Sequence, residues 1–486
     1  MPHVTPLPRC TPAQAGLDPR RIVAMIDDYQ ARGLQIHSFM LVRHGQVLCE
    51  GYYDPYTPDQ LQTVFSLSKT FTSVAVGIAE GEGRIDLDEK LIDIFAEEAA
   101  ASGVKPGKEL QSLTLRHLLR MSTGQPQEPY GENCWADMRQ AFLKEAFSEM
   151  PGQVFRYNTI ATYMLSAALK KKGIDLEDYL QEKLLTPLGI SGTRWMRDPH
   201  DICTGGFGFS LVPEVIAKLG VCLLNDGKWG DEQLIPRNYV AAATRPQIYQ
   251  AADVLGYGDW NAGYGYQMWM CINGCFRGDG MYGQLCLMDR RTDTVLAMTA
   301  LLQDMGNEMQ VYYNNVLNAY QPDPLPEDEA AMAELTARLA TLSAYRSLPE
   351  DDGAPIPAAV LGRYENLPVG DITLALEDDT LVLTRQGNVL KATRGAWHRN
   401  DVPPMIDGLH YRDMTTTSPI VMAWGVKDGA LILRHFEIEG MEEVTLTFKP
   451  TDDGVNLLLQ ETTNPEHPGT WYHETVKVKY AYKKSG

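Results

Sequence analysis

Apolar and polar positions along the chain change period several times, and each change predicts a different kind of element. From Asp18 to Arg32 the apolar residues recur at helical spacing, with Asp18 as N-cap and Pro19 at the first helical position. Two strand-like runs follow, His37 to Arg43 and Gln46 to Tyr52, joined by His44-Gly45 as a hairpin. Between Ser66 and about Pro236 the pattern is mostly helical. It includes a short amphipathic helix over Leu113–Met121 capped by Ser122-Thr123-Gly124, then Thr159–Lys171 and Leu176–Leu185. Strand patterning returns at Gly265–Cys271, Gly283–Asp289 and Thr294–Leu301, and a helix is predicted from Asn307 to Ala319.

A break follows. Residues 321–329 are acidic and proline-rich, and one helix, Ala330–Ala344, lies beyond them. Residues 355–484 then read as short strands separated by turns such as Asp378-Asp379, Asp452-Asp453-Gly454 and Pro468-Gly469. The expected fold class is therefore α+β: an antiparallel sheet flanked by helices with an inserted helical subdomain, plus a C-terminal all-β barrel or sandwich. The expected boundaries are a domain over 1–320, a linker and helix over 321–354, and a β domain over 355–486. Two domains also suit a chain of 486 residues, which is long for one core.

Charge narrows the range of partners. With 63 acidic and 43 basic residues the net charge is −20, which disfavours nucleic acid and anionic membranes. The proline-rich start, Met1 to Cys10, has no apolar run behind it, so a cytoplasmic location is expected. The eight cysteines are irregularly spaced and read as buried free thiols. No pair of histidines or cysteines has zinc spacing, so neither a metal nor another cofactor is expected. The five histidines of the last segment, His398, His410, His435, His467 and His473, read as structural.

Three short stretches make one chemical proposal. Ser66-Leu67-Ser68-Lys69 opens an apolar run through Ala79, so a buried helix carries Ser66 and Lys69 one turn apart on one face. A serine hydroxyl attacks a carbonyl only when a base takes its proton, and burial makes a lysine such a base. The alternative is a capping serine and a lysine that snorkels to solvent. Phe155-Arg156-Tyr157-Asn158-Thr159 sits at a loop-to-helix junction, where Tyr157 is either a proton relay or a packing residue. Arg277-Gly278-Asp279-Gly280-Met281-Tyr282-Gly283-Gln284 opens a strand whose glycines admit a close ligand or simply make a tight turn. Its edge would offer an N–H to an oxyanion together with the N–H of Ser66.

In this order the stretches resemble the serine β-lactamase and penicillin-binding-protein superfamily. The resemblance is nearest its class C-related branch of esterases, D-peptidases and 6-aminohexanoate-oligomer hydrolases. It is also carried by Thr114–Gly124, Leu184-Leu-Thr-Pro-Leu-Gly-Ile190, Gly205-Gly-Phe-Gly208 and Gly263-Tyr-Gly-Tyr-Gln267, and it spans roughly residues 10–320. It implies a β-lactamase/transpeptidase-like fold with Ser66 as nucleophile, Lys69 as its activator and Tyr157 as general base or relay. The oxyanion hole it implies is the N–H groups of Ser66 and Met281. Substrate contacts would come from Asn158, Arg277, Asp279 and Gly280.

Two departures bear on the substrate. The family's Tyr-x-Asn is here Tyr157-Asn158-Thr159, with Asn158 one place early. The third motif, often Lys-Thr-Gly or His-x-Gly, is Gly278-Asp279-Gly280 and lacks the cation that holds a substrate carboxylate. Asp279 would repel a carboxylate there, unless Arg277 restores the charge. The expected activity is thus esterase or amidase/D-peptidase rather than true β-lactamase, on a small ester or amide that is uncharged or amine-bearing. The other reading is a binding or sensor protein that keeps the fold without turnover. Trp195, Trp260 and Trp269 are either pocket walls or packing residues, and the C-terminal module is expected either to cover one side of the cleft or to mediate homo-oligomerisation.

Overall fold

The computed structural model describes residues 2–129, 134–250, 258–302, 304–342, 348–365, 371–385, 387–401, 419–440, 443–452, 454–462 and 476–482. The chain forms two compact units, one of residues 1–52 and 63–342 and one of residues 53–62 and 343–486. His410, His467, His473 and the turns at 453 and 468–469 lie outside the described residues, as do parts of the loops 125–137 and 250–261.

The first unit is built on a six-stranded antiparallel sheet. Its strands are β1 (Ile36–Arg43), β2 (Gln46–Tyr52), β3 (Trp269–Met270), β4 (Phe276–Gly280), β5 (Gln284–Asp289) and β6 (Thr294–Ala300), in the order β3-β4-β5-β6-β1-β2. The predicted hairpin forms, with His44 and Gly45 both at positive φ (51° and 71°). Every residue of β1 is buried, so helices cover both faces of the sheet. The predicted first helix, α1, spans Pro19–Ala31, and Asp18 accepts a hydrogen bond from the Arg20 N–H. Helix α2 spans Ser68–Gly81, α3 Thr159–Lys171 and α4 Pro213–Leu224. Helix α4 lies on β5, β6 and β1, and a Cβ on its Gly220 would come within 2.6 Å of Val295. Among the described residues no helix is long and apolar enough to cross a membrane.

Two sequence expectations are corrected. The glycine-rich stretch does not open the strand at Gly283: Phe276–Gly280 is a strand of its own, turned into β5 by Met281–Gly283. The strand expected over Gly265–Cys271 shrinks to Trp269–Met270. Helices α5 (Asn307–Asn315) and α6 (Glu329–Leu339) both pack on α1, and α6 belongs to the first unit. The proline-rich segment before α6 is held down by backbone bonds from Gln321 to Gly16 and from Leu325 to Ala13. Eight free thiols are present, seven of them buried.

The second unit is one ten-stranded sheet. Its strands are β7 (Gly362–Tyr364), β8 (Ile372–Glu377), β9 (Thr380–Arg385), β10 (Asn388–Arg394), β11 (His398–Asn400), β12 (Ile420–Lys427), β13 (Ala430–Glu437), β14 (Glu443–Thr451), β15 (Gly454–Thr462) and β16 (Val476–Tyr482). The strands run antiparallel except where β10 meets β12, and β11 pairs with β12 off the main path. Six steps of about 4.8 Å would put β7 and β14 nearly 30 Å apart in a flat sheet. Instead the rings of Tyr364 and Phe448 are 5.4 Å apart in a shared core, so the sheet curls into a half-barrel.

Candidate active site

Helix α2 is apolar on most of its surface, and every residue from Ser68 to Ala79 is buried. Its few hydroxyls are satisfied by flanking chain rather than solvent. Thr70 donates to the Gln267 carbonyl (3.1 Å), Thr72 to Gly205 (2.7 Å) and Ser73 to Tyr266 (2.9 Å). A 3-10 turn, Phe65–Leu67, leads into the helix, and Phe65 sits at φ 45°, a costly conformation for an aromatic residue. That turn leaves Ser66 partly exposed above a buried Lys69.

Lys69 Nζ lies 2.9 Å from Ser66 Oγ and donates at 2.8 Å to the carbonyl of Gly206. Burial pushes its pKa down to about 7, against a smaller opposing pull from Glu128. Lys69 is therefore buried rather than snorkelling. Gly206 follows Gly205, which sits at φ 64°, and a Cβ on Gly206 would come within 2.8 Å of Thr159. This glycine pair lets the carbonyl reach the lysine.

Tyr157 arrives immediately before α3. Its ring centre is 4.9 Å from Lys69 Nζ, and Trp269 stacks on it at 5.5 Å and 17°. Asn158 is placed otherwise than expected. It is the N-cap of α3, accepting from Ala161 N–H (2.9 Å) and donating to Gln125 Oε1 (3.2 Å), and it is buried. Its amide holds a helix end and a loop, so a substrate contact is not supported.

Strand β4 runs past the turn that carries Ser66. A Cβ at Gly280 would fall 2.3 Å from the Val64 carbonyl, and one at Gly278 would fall 2.4 Å from Leu67 and 2.6 Å from Thr70. Glycine is required at both positions for this approach. Side chains alternate along a strand, so Arg277 and Asp279 project from the other face. There Arg277 Nε meets Asp279 Oδ2 at 2.8 Å. The guanidinium donates to the carbonyls of Asp259 and Met270 and lies 4.5 Å from the Trp260 ring centre. Both residues are buried.

The expectations for this pair are corrected accordingly. Asp279 is neutralised by Arg277 and does not repel a substrate, and Arg277 is sealed and restores no clamp. The third-motif cation is missing because Gly278 occupies its place, with Leu67 and Thr70 against it. Of the candidate pocket tryptophans, Trp269 borders the site through Tyr157. Trp195 stacks on Phe209 at 4.2 Å and Trp260 lies against Arg277.

Met281 follows β4 and is partly exposed. The next residue, Tyr282, sits at φ 66° with its ring edge-on to Phe65 at 5.3 Å. Two aromatic residues in the left-handed region thus bracket the two backbone N–H groups expected at an oxyanion hole. Of the residues around Ser66 and Lys69, Tyr282 and Gly206 lie in stretches that the sequence singles out without giving them a role, and Phe65 and Glu128 are given none. For Gly206 the signal is the cluster Gly205-Gly206-Phe207-Gly208.

The family model for β-lactamase matches residues 20–208. Among solved structures, one from Bacillus anthracis named for 6-aminohexanoate-dimer hydrolase superposes with TM-score 0.53 at 19% identity, covering 67% of this chain and 89% of that one. A penicillin-binding-protein homologue from Caulobacter crescentus gives 0.50 at 17% identity, covering 62% and 99%. EstCE1, a hydrolase with promiscuous acyltransferase activity, gives 0.50 at 17% identity, covering 61% and 99%. With the helix-borne Ser66–Lys69 pair and the antiparallel sheet in place, the chain matches the β-lactamase model over residues 20–208 and has the β-lactamase and penicillin-binding-protein fold.

Proposed function

We propose that the protein cleaves an ester or amide through an acyl-enzyme on Ser66, as a carboxylesterase or amidase/D-peptidase rather than a β-lactamase. The single observation that carries this reading is the 2.9 Å approach of Lys69 Nζ to Ser66 Oγ, with burial holding that amine near neutral pKa. Above about pH 7 the amine has a free electron pair. It takes the hydroxyl proton as Oγ bonds to the carbonyl carbon. The negative charge then moves to the carbonyl oxygen, which in this reading accepts from the N–H groups of Ser66 and Met281. Collapse of the adduct breaks the bond to the alcohol or amine. Lys69 returns the proton to that leaving group, with Tyr157 as relay. Water attacks the remaining ester by the same proton path in reverse, releasing the acid and restoring Ser66.

With p-nitrophenyl acetate we expect a burst followed by turnover, and loss of both in Ser66→Ala. An unchanged rate in that variant would remove Ser66 as nucleophile. Stoichiometric fluorophosphonate labelling of Ser66 with no turnover of any ester would favour the binding-protein reading instead. The missing third-motif cation predicts slow hydrolysis of penicillins at best.

A further inference from the structure

Glu128 belongs to no motif, yet the fold brings it to the catalytic lysine. Its segment follows the short helix Leu115–Leu119 and is tied down one turn earlier by Gln125. That side chain is buried, donates to the Phe142 carbonyl at 2.9 Å and accepts from Asn158 at 3.2 Å. Gln125 therefore fixes this loop against the residue next to Tyr157. Thr159 Oγ1 donates to Glu128 Oε1 at 3.4 Å. Thr159 is packed against Gly206, whose carbonyl accepts from Lys69 Nζ at 2.8 Å. Glu128 is thus one side chain and one glycine away from the Ser66–Lys69 pair, and it remains partly exposed.

The electrostatics of the cleft give this carboxylate its meaning. The negative charge of Glu128 acts on Lys69, opposing the effect of burial. Above about pH 7 Lys69 becomes neutral, and the cation of the third motif is absent because Gly278 stands in its place. A carboxylate substrate would face a like charge from Glu128, whereas a cationic nitrogen would be attracted.

We propose that Glu128 is the specificity-determining residue of this cleft and that it receives a cationic nitrogen of the substrate, so that the preferred ester or amide carries an amine. This inference rests on the serine-hydrolase reading above and narrows it. It places discrimination against carboxylates at Glu128 rather than at the ion-paired Asp279.

Two matched ester pairs test it. The first, p-nitrophenyl 4-aminobutyrate against p-nitrophenyl butyrate, puts the cation on the acyl side. The second, butyrylcholine against 3,3-dimethylbutyl butyrate, puts it on the alcohol side. The protein should favour the cationic member of at least one pair by roughly tenfold in kcat/KM, the scale of one hydrogen bond to a charged group. In Glu128→Gln that ratio should fall to near one, and because it is a ratio, a general loss of rate cancels. Glu128→Lys should instead favour mono-p-nitrophenyl glutarate over p-nitrophenyl butyrate. No cationic preference in either pair, or a preference that survives Glu128→Gln, would overturn the proposal. Were none of the esters turned over, calorimetric binding of 4-aminobutyramide against butyramide, in wild type and Glu128→Gln, would read the same discrimination. The two readings therefore fail separately.

Discussion

Lys69 is the residue whose chemistry follows most directly from its surroundings. A lysine in water keeps its proton until about pH 10, but burial inside α2 and its neighbours brings this amine down to about 7. The sign is fixed: burial penalises the ammonium, so the base form gains as pH rises through 7. For a neutral ester, kcat/KM should therefore climb with pH and reach half its plateau near pH 7, as a stopped-flow pH profile would read. A midpoint near 10 would show that burial does not govern the amine. In Lys69→Arg the climb should vanish, because a guanidinium does not lose its proton in this range. Ser66, Lys69 and Tyr157 were legible as candidates because local spacing or a helix junction marks each of them. Glu128 was not, since its relation to Lys69 passes through Thr159 and Gly206, distant in the chain. Asn158 was misjudged for a similar reason. The residue type suits a substrate contact, but its position before α3 makes it a cap.

At the scale of elements, the site is the crossing of one helix entrance and one strand. The glycines of β4 were readable as a sign of close approach, but not what approaches. The structure supplies the turn Phe65–Leu67, with the Val64 carbonyl 2.3 Å from where a Gly280 Cβ would sit. Gly280→Ala should force β4 away from Ser66 and lower kcat/KM for p-nitrophenyl acetate by roughly a hundredfold, the scale of losing one oxyanion donor. Gly274→Ala is the control. At φ 86° with open space around it, that change should cost only about 1 kcal/mol in denaturant unfolding and leave turnover in place. Equal losses in the two variants would argue against a strand held by contact. The strand boundaries themselves were misread because Tyr282 occupies the left-handed region. An aromatic residue there is stabilised by its edge contact with Phe65, which no local pattern announces.

At the scale of the molecule, the chain crosses between its two units three times, where the sequence suggests a single crossing. Residues 53–62 leave the first unit and join the second, where Tyr56 packs with Val421, Phe436 and Ile438, and Gln60 accepts from Arg399 at 2.6 Å. Tyr56→Ala should cost roughly 3 kcal/mol, as truncation of a buried aromatic does. Hydrogen exchange should then speed up in β12 and β13 while α2 keeps its protection; equal protection throughout would refute the assignment. By itself the sequence determined the helix and strand periods, the break in composition near residue 321 and the Ser66–Lys69 spacing, because each depends on neighbours a few residues apart. Tertiary structure alone decided that Arg277 is sealed against Asp279, that Asn158 caps a helix, that Glu128 stands by Lys69 and that 53–62 changes unit. Each of these joins residues far apart in the chain, where burial and contact, rather than local propensity, set the outcome.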